Sequence, residues 1–340
     1  PPQPTSAPAP VIAAPSPTAI TPKPAPIAPR APAPATSPAL PEGPRRPIGP
    51  TFDRAALEVH ANGPISSIFG PAFAGQDGFT RQVRMPEPPL LLADRVTGLD
   101  AEPLSLKLGT IWTETDVNPD AWYLHAGRMP AGIMIESGQA DLMLISYLGV
   151  DTENRSERVY RLLGCTLTYH GGLPAIGETL CYDIHLDGHA KQGGTRLMFF
   201  HYDCHIAGKL RLSVCKGQAG FFTDAELANS DGCIWRPEDQ KIVENPRLDP
   251  PSARTPHNSF SPEQVVAFAE GRPWDCFGEP WVMAKPHTRT PRISAGRMLF
   301  LDQIDRFEVR GGPWDRGYLS ASTAVTPDHW FFAGHFHNDP

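Results

Sequence analysis

The chain has 340 residues, enough for about two domains of ordinary size, and a net charge of -7 at neutral pH. The acidic balance and the lack of any Lys/Arg-rich run exclude a nucleic-acid footprint. The N-terminus has no basic segment followed by an apolar core, so no signal peptide is predicted. The six cysteines form no CxxC pair, which predicts free thiols in a reducing, cytoplasmic compartment.

Residues 1–50 are rich in proline and alanine and hold 18 of the 40 prolines. Such a composition cannot bury a core and favours extended, polyproline-like conformations. We expect this segment to be a linker between domains of a larger polypeptide. A disordered tail is the simpler alternative.

The segment Phe52–Arg84 gives mixed signals, with a short helical pattern at Arg54–His60 to which we assign no role. The Pro- and Trp-rich segment Asn229–Lys285 predicts a connector packed on the surface. One helix is expected within it, beginning at Ser261, where a Ser-Pro-Glu sequence is typical of a helix N-terminus.

The segment Met129–Gly149 is apolar on almost every face, and Pro130 suits the first turn of a helix. A helix that is apolar all round lies buried, in a core or in a membrane. Glu136, Gln139 and Asp141 exclude the membrane, because charged groups at that depth cost about 2.5–3.5 kcal/mol each. We therefore expect one helix in a protein core, wrapped by other elements.

The segments around this helix read as strands joined by polar or Gly-containing turns, which predicts an antiparallel meander. A turn is expected at Asp187–Gly194. One buried helix and such a sheet make an α+β fold in which the sheet curls around the helix. The predicted strands are Leu104–Val117, Arg158–His170, Glu178–Leu186, Thr195–Ile206 and Leu210–Phe222.

The chain contains an internal repeat. Residues 90–96 (LLLADRV) match residues 298–304 (MLFLDQI), and residues 117–123 (VNPDAWY) match residues 325–331 (VTPDHWF). Both pairs are separated by 208 residues without a gap. The repeat predicts two copies of one domain, at 80–228 and at 286–340 with the connector 229–285 between them. The second copy stops where its own buried helix is expected.

Residues 325–340, VTPDHWFFAGHFHNDP, resemble the active-site segment of the bacterial beta-hydroxydecanoyl-ACP dehydratase family. Residues 298–322 resemble that family's preceding segment, and the first copy resembles it more weakly. The resemblance implies the hot-dog fold, here as a double hot dog with a truncated second copy. With the linker and the tandem copies, the chain resembles the dehydratase region of polyunsaturated fatty acid synthases.

The resemblance implies dehydration of a 3-hydroxyacyl-ACP to a trans-2-enoyl-ACP, with double-bond isomerisation left open. In the family a histidine removes the Cα proton, and a carboxylate on the helix of the partner hot dog acts on the departing hydroxyl. A weakly acidic α-proton needs a base that is neutral near pH 7, which suits imidazole. His335 is the implied base, next to Gly334, and Asp339 is expected to shape the loop. Its acid is expected beyond residue 340, so the chain by itself is expected to be inactive at the second copy.

Glu136 lies seven residues after Met129, where the family has its helix carboxylate. The alternative is a buried acid paired locally with Arg128 or Arg95. Gly132 and Gln139 are implied to bind substrate together with Gly334. Gln139 follows Glu136 by three residues, whereas the family has four.

His125 is a weaker candidate, because the loop between Pro119 and Met129 is about five residues shorter than the family's loop. It is expected near the catalytic position but not on it. His201, Asp203 and His205 alternate along one strand and resemble metal ligands. Because no further ligand follows at metal spacing, we favour a polar solvent face and predict no metal.

The resemblance implies no cofactor other than the phosphopantetheine of an acyl carrier protein, which arrives with the substrate. The expected partners are that carrier, neighbouring synthase domains, and a second hot dog in a dimer or pseudo-dimer, with no nucleic acid and no membrane. Two alternatives stay open: a hot-dog acyl thioesterase, against which the HFHNDP loop argues, and a noncatalytic structural module of the same synthase.

Overall fold

A computed structural model describes residues 46–192, 194–230, 255–312 and 317–338. Its main sheet has six antiparallel strands in the order β1-β2-β4-β5-β6-β3. The strands are β1 (Arg95–Ala101), β2 (Gly109–Asp116), β3 (Val159–Tyr169), β4 (Thr179–Gln192), β5 (Thr195–Ile206) and β6 (Lys209–Phe222). A two-stranded sheet is formed by β7 (Gln303–Glu308) and β8 (Tyr318–Ser322).

The helices are mostly short. They are α1 (Arg54–Asn62), α2 (Ser66–Phe69), α3 (Ala131–Glu136), α4 (Asp141–Tyr147), α5 (Asp151–Asn154), α6 (Asp224–Ala228), α7 (Pro262–Ala269), α8 (Pro273–Phe277) and α9 (Trp330–Gly334). Among the described residues, 3-10 helices span Pro71–Gln76, Glu279–Ala284 and Gly296–Met298. Among the described helices, none is long and apolar enough to cross a membrane.

The strands follow the alternation of their sequences. In β5 every second residue is buried, as expected for a strand with one face on a core. The predicted turn at Asp187–Gly194 is wrong, because β4 continues through a register shift at Leu186 and Gly188 and pairs as far as Gln192. β2 begins later than predicted, since Leu104 and Leu106 have positive φ and cannot continue a strand.

The predicted single helix at Met129–Gly149 is wrong in its continuity and right in its burial. It is divided into α3 and α4 by the turn at residues 137–140. Gly138 lies in this turn against the Tyr202 ring, where an added Cβ would come within 2.9 Å of the ring carbons. The Ser137 hydroxyl in the same turn is 2.6 Å from the Tyr182 hydroxyl. The sheet therefore contacts the helical segment at its break.

Side chains of α3 and α4 and of the inner sheet face form one core cluster. Met143, Leu144 and Ile145 have no exposed surface. The predicted α+β fold, an antiparallel sheet curled around a buried helical segment in the hot-dog arrangement, is confirmed.

Residues 46–50 extend the first domain beyond its predicted start. Gly98 lies so close to the backbone of Ile48 that an added Cβ would come within 2.7 Å of its oxygen. Gly49 approaches the carbonyl of Leu99 in the same way. The end of the predicted linker, residues 46–50, is therefore packed on β1. The rest of that prediction, residues 1–45, lies outside the described residues.

The internal repeat is also a repeat of backbone contacts. Phe52 and Val96 exchange two backbone hydrogen bonds of 3.0 and 2.8 Å, and Phe260 and Ile304, 208 positions later, exchange two of 2.9 and 3.0 Å. In each copy a helix follows the phenylalanine, α1 in one and α7 in the other. The 3-10 helices Pro71–Gln76 and Glu279–Ala284 also correspond at this separation.

The hairpins repeat as closely as the helices. The Asp94 carboxylate accepts a hydrogen bond of 2.6 Å from the Asp116 amide, and the Asp302 carboxylate accepts one of 2.7 Å from the Ala324 amide. β7 and β8 thus occupy the positions of β1 and β2. We call residues 46–222 the first unit and residues 255–338 the second unit.

This correspondence changes the predicted domain bounds. Residues 260–285, taken as connector, repeat the start of the first unit, so the boundary at residue 286 falls inside the second unit. Residues 231–254 of the predicted connector lie outside the described residues. A complete second hot dog remains a prediction.

Candidate active site

His335 is placed at the end of α9, directly after Gly334. Gly334 is buried, and an added Cβ would lie 2.9 Å from Cδ of Pro89, so glycine allows the loop to approach the first unit. The backbone carbonyl of His335 accepts a hydrogen bond of 2.8 Å from the Glu87 amide. Trp330, at the start of α9, contacts Trp122 with ring centroids 4.9 Å apart.

The residues after His335 fasten the loop further. His337 Nδ1 lies 3.0 Å from a carboxylate oxygen of Glu87. The Asn338 side-chain amide donates a hydrogen bond of 3.0 Å to the Thr80 carbonyl. The loop of the second unit is therefore held against residues 80–87 of the first unit.

This docking closes a cavity of about 310 Å³ between the units. Its polar side chains come from three elements: the end of α3, the strand β3 and the loop after α9. Its lining residues are Pro86, Leu90, Glu136, Gln139, Tyr160, Arg161, Leu162, His335 and Phe336.

Glu136 is the last residue of α3 and is exposed toward this cavity. Surrounding protein still removes enough water to raise the pKa of its carboxyl, while the His335 charge and a hydrogen bond from Gln139 lower it. The Gln139 amide donates that bond over 2.6 Å. Glu136 thus combines an exposed position at the end of α3 with a raised pKa.

The local ion pairs considered for Glu136 are absent, since both arginines bind other groups. Arg95 pairs with Glu114 at 2.6 Å and with Asp116 at 2.7 Å. Arg128 donates to the Leu173 carbonyl over 2.8 Å.

A carboxyl lies beside His335 within the chain, whereas the sequence placed it beyond residue 340. Glu136 of the first unit and His335 of the second unit line one cavity and are electrostatically coupled. The reason given for an inactive chain, a missing carboxylate beside His335, therefore does not hold. A carboxylate on the helix of the partner hot dog was already part of the family pattern, and combined with the repeat it would have pointed to Glu136.

Two polar residues that line the cavity, Tyr160 and Arg161, were missed from sequence. Tyr160 on β3 lines the cavity, and its hydroxyl donates to the Asp141 carboxylate over 3.1 Å. Burial is the main cause that raises the pKa of Asp141 to about 6. An acid in the apolar segment was visible in the sequence, whereas its tyrosine partner was not.

His125 and Gly132 are not brought to this cavity. His125 lies in a tight turn, where it exchanges backbone hydrogen bonds of 2.9 and 3.1 Å with Arg128. Gly132 lies exposed in the first turn of α3, where backbone N–H groups lack intrahelical acceptors. The site therefore combines Glu136, Gln139 and His335, with Gly334 as the residue that lets the loop approach.

Two histidines on β4 and β5 each contact an aspartate of β4. His201 contacts Asp187 at 2.6 Å and stacks on His185, with ring centroids 4.5 Å apart. His185 lies 2.7 Å from an Asp183 oxygen. In the part of the chain that the structure describes, no group of three or more His, Cys, Asp or Glu residues is arranged to hold a metal ion.

One segment of the chain matches a known protein family. Residues 293–340, which include α9 and His335, match the FabA-like domain. The segment that carries the histidine is thus the segment that carries the family signature.

The chain is also 36% identical over 296 residues to a polyunsaturated fatty acid synthase subunit of Thraustochytrium sp.. That match covers 85% of this chain and 20% of the relative, so the chain spans a fifth of the relative's length. The resemblance to the dehydratase region of polyunsaturated fatty acid synthases is confirmed.

Two solved structures resemble the chain more distantly. The dehydratase heterocomplex ApeI:P from Xenorhabdus doucetiae is 16% identical, with 42% of this chain and 90% of that chain covered and a TM-score of 0.32. Zebra fish thioesterase superfamily member 2 is 19% identical, with 49% and 92% covered and a TM-score of 0.28. At these scores the assignment of the fold rests on the strand order and the buried helical segment of this chain.

Proposed function

We propose that the cavity between the two units dehydrates 3-hydroxyacyl thioesters to trans-2-enoyl thioesters. The observation that carries the proposal is the meeting of His335 and Glu136 in one cavity. One is a candidate base in a FabA-like segment, and the other is a carboxyl with a raised pKa. A base and an acid with separate environments are what a β-elimination needs.

His335 takes the Cα proton, and the electrons of that C–H bond form the new C=C bond. The C3–O bond breaks, and the leaving oxygen takes a proton from the Glu136 carboxyl and departs as water. The raised pKa of Glu136 keeps that proton available at higher pH than for an ordinary glutamate. Gln139 orients the carboxyl through its 2.6 Å hydrogen bond.

The substrate in this proposal is an acyl chain on the phosphopantetheine of an acyl carrier protein, and no other cofactor is used. Leu90, Leu162 and Phe336 give the cavity apolar walls suited to an acyl chain. The named relative supports a setting within a polyunsaturated fatty acid synthase, with neighbouring synthase domains as partners. A cytoplasmic location and isomerisation after dehydration belong to the same proposal.

The proposed arrangement is a pseudo-dimer of hot dogs with approximate two-fold symmetry. Trp122 and Trp330 are separated by the repeat distance and contact each other. Equivalent residues meet in this way at a two-fold axis. In such an arrangement the loop of one unit lies against the helical segment of the other, so the base and the acid come from different units.

The test is incubation of the purified chain with a 3-hydroxyacyl carrier protein, followed by mass spectrometry of the acyl group. Dehydration predicts loss of one water from the tethered acyl chain. Release of free carrier thiol with the hydroxyl retained would indicate the thioesterase alternative. An unchanged acyl carrier protein, with the chain folded, would favour the structural module.

A further inference from the structure

Besides the proposed acid and base, the polar residues that line the cavity are Gln139, Tyr160 and Arg161, and the Tyr160 hydroxyl is held by a buried carboxylate. Asp141, the first residue of α4, is only 4% exposed. The Tyr160 hydroxyl donates to its Oδ2 over 3.1 Å. The pair thus joins the helical segment to β3, and Tyr160 is its member that lines the cavity with Glu136 and His335.

Asp141 is built as an acceptor. Its other hydrogen bonds come from its own backbone amide and from that of Leu142. Among the described residues no lysine, arginine or histidine forms an ion pair with it, and Glu136 faces it with like charge. Its carboxyl accepts the hydrogen bonds from the Tyr160 hydroxyl and from the two backbone amides, so it acts toward Tyr160 as an acceptor.

Tyr160 therefore has its proton committed. Burial and the neighbouring carboxylates raise its pKa well above 10, so the hydroxyl stays protonated. A tyrosine hydroxyl has one proton, and here Asp141 receives it. Toward any further partner the Tyr160 oxygen can only accept a hydrogen bond.

An acceptor at this wall selects one group on the reacting carbons of the substrate. A thioester oxygen is itself an acceptor and would be repelled. The 3-hydroxyl group carries the one O–H donor on those carbons. When it donates to Tyr160, its lone pairs turn away from Tyr160 and become available to the acid.

We propose that Tyr160 binds the 3-hydroxyl group of the acyl substrate as an acceptor and turns its oxygen toward Glu136, and that Asp141 is the positioning residue that fixes Tyr160. This inference rests on the proposed function for the identity of the substrate. It adds that Tyr160 distinguishes a 3-hydroxyacyl chain from a saturated one at the binding step.

The test compares binding of two pantetheine thioesters of equal chain length, one 3-hydroxyacyl and one saturated. Tyr160→Phe is expected to weaken the 3-hydroxyacyl ligand by ~10-fold and leave the saturated ligand unchanged, the scale of one hydrogen bond. Asp141→Asn, which removes the charge and keeps the shape, is expected to weaken the same ligand by ~3-fold, on the same hydrogen-bond scale.

Tyr202→Phe is the matched control. The Tyr202 hydroxyl also donates to the helical segment, to the Ile135 carbonyl over 3.2 Å, but Tyr202 does not line the cavity. Tyr202→Phe should leave the ratio of the affinities for the 3-hydroxyacyl and the saturated ligand unchanged. If Tyr160→Phe weakens both ligands equally, or neither, the inference is overturned.

The binding ratio needs no turnover, so it separates the inference from the proposed function. A wild-type chain that prefers the 3-hydroxyacyl ligand but forms no enoyl product would contradict the dehydratase and leave the Tyr160 contact standing. A chain that dehydrates its substrate while Tyr160→Phe keeps the full preference would contradict the contact alone. Should Tyr160→Phe fail to fold, the ratio measured with Asp141→Asn decides in the same way.

Discussion

The two units share a backbone scaffold and differ in the loop after their shared tryptophan. After Trp122 the chain makes a tight turn in which His125 is hydrogen-bonded to Arg128, and α3 begins shortly afterwards. After Trp330 it forms α9 and extends to His335, which lies on the other unit. Similar scaffolds therefore carry different loops, and among the described residues it is the loop after Trp330 that brings a histidine to the cavity.

The difference divides the proposed chemistry between the units. The first unit provides Glu136, and the second provides His335. Neither unit holds both groups in this cavity, so their docking is a condition for the site. Substitutions in each unit should therefore disturb the reaction in different ways.

The largest expected effect contrasts the two histidines. His335→Ala should reduce dehydration by ~10³-fold, within the range for loss of a general base. His125→Ala should change it by less than ~3-fold, because that residue lies outside the cavity and a surface change usually has a small effect. Single-turnover rates with a 3-hydroxyacyl carrier protein give the comparison. The assignment of the two loops is reversed if His125→Ala abolishes turnover and His335→Ala leaves it intact.

The second prediction concerns the acid. Glu136→Gln keeps the shape of the side chain and removes its proton, and should slow dehydration by ~10²-fold. In the wild type, the rate should fall as pH rises through the raised pKa of Glu136, because the acid must be protonated to act. Glu136→Gln should lose this alkaline limb.

Coupling between the units can be measured without turnover. The His335 charge lowers the pKa of Glu136, so His335→Ala should raise that pKa further. A ¹³C NMR titration of the glutamate carboxyls reports it, with Glu136→Gln identifying the signal. An unchanged titration would mean that the two groups do not face each other in solution.

The fourth prediction concerns the contact between the equivalent residues Trp122 and Trp330. Trp330→Ala and Trp122→Ala should each lower dehydration by ~10-fold, since a displaced loop weakens the alignment of the base. In the double variant the loss of activation free energy should be smaller than the sum of the two single losses, because both substitutions remove the same contact. Trp274→Ala is the control, since Trp274 lies on α8 beside Lys285. Equal losses in the control would point to general instability of the second unit.

Local patterns in the sequence predicted most of the fold. β5 has the bounds predicted from sequence, Thr195–Ile206. The apolar segment predicted the buried helical residues of α3 and α4. The repeat was found at its hairpin and missed at its start, although Phe52 and Phe260, and Gly70 and Gly278, stand at the same separation. Those matches are few and scattered, and the repeated hydrogen bonds are what make them visible.

The site was harder to predict because its parts meet through tertiary packing. His335 was found because its motif is local and contiguous. Its neighbour Glu136 is 199 positions away, and their meeting depends on the docking of the loop through Glu87 and Trp122. The helical segment breaks after Glu136, where Gly138 lies close to the Tyr202 ring of β5. No proline at this point of the sequence indicates the break.

The last prediction locates the start of the first unit. Removal of residues 1–45 should shift the melting temperature by less than ~1 °C, because a Pro/Ala-rich segment cannot bury a core. Removal of residues 1–50 should lower it by about 2–4 °C, the scale of 1 kcal/mol in a chain of this size, because Ile48 and Gly49 pack on β1.

The second unit supports the same boundary. Its Asn258, which is equivalent to Pro50, accepts a hydrogen bond of 2.6 Å from the Phe307 amide on β7. Each unit therefore begins a few residues before its repeated phenylalanine, on the edge of its first hairpin. Calorimetry of the two truncated chains separates the possibilities. Equal melting temperatures would place the boundary after residue 50, and a loss already at residue 45 would place it earlier.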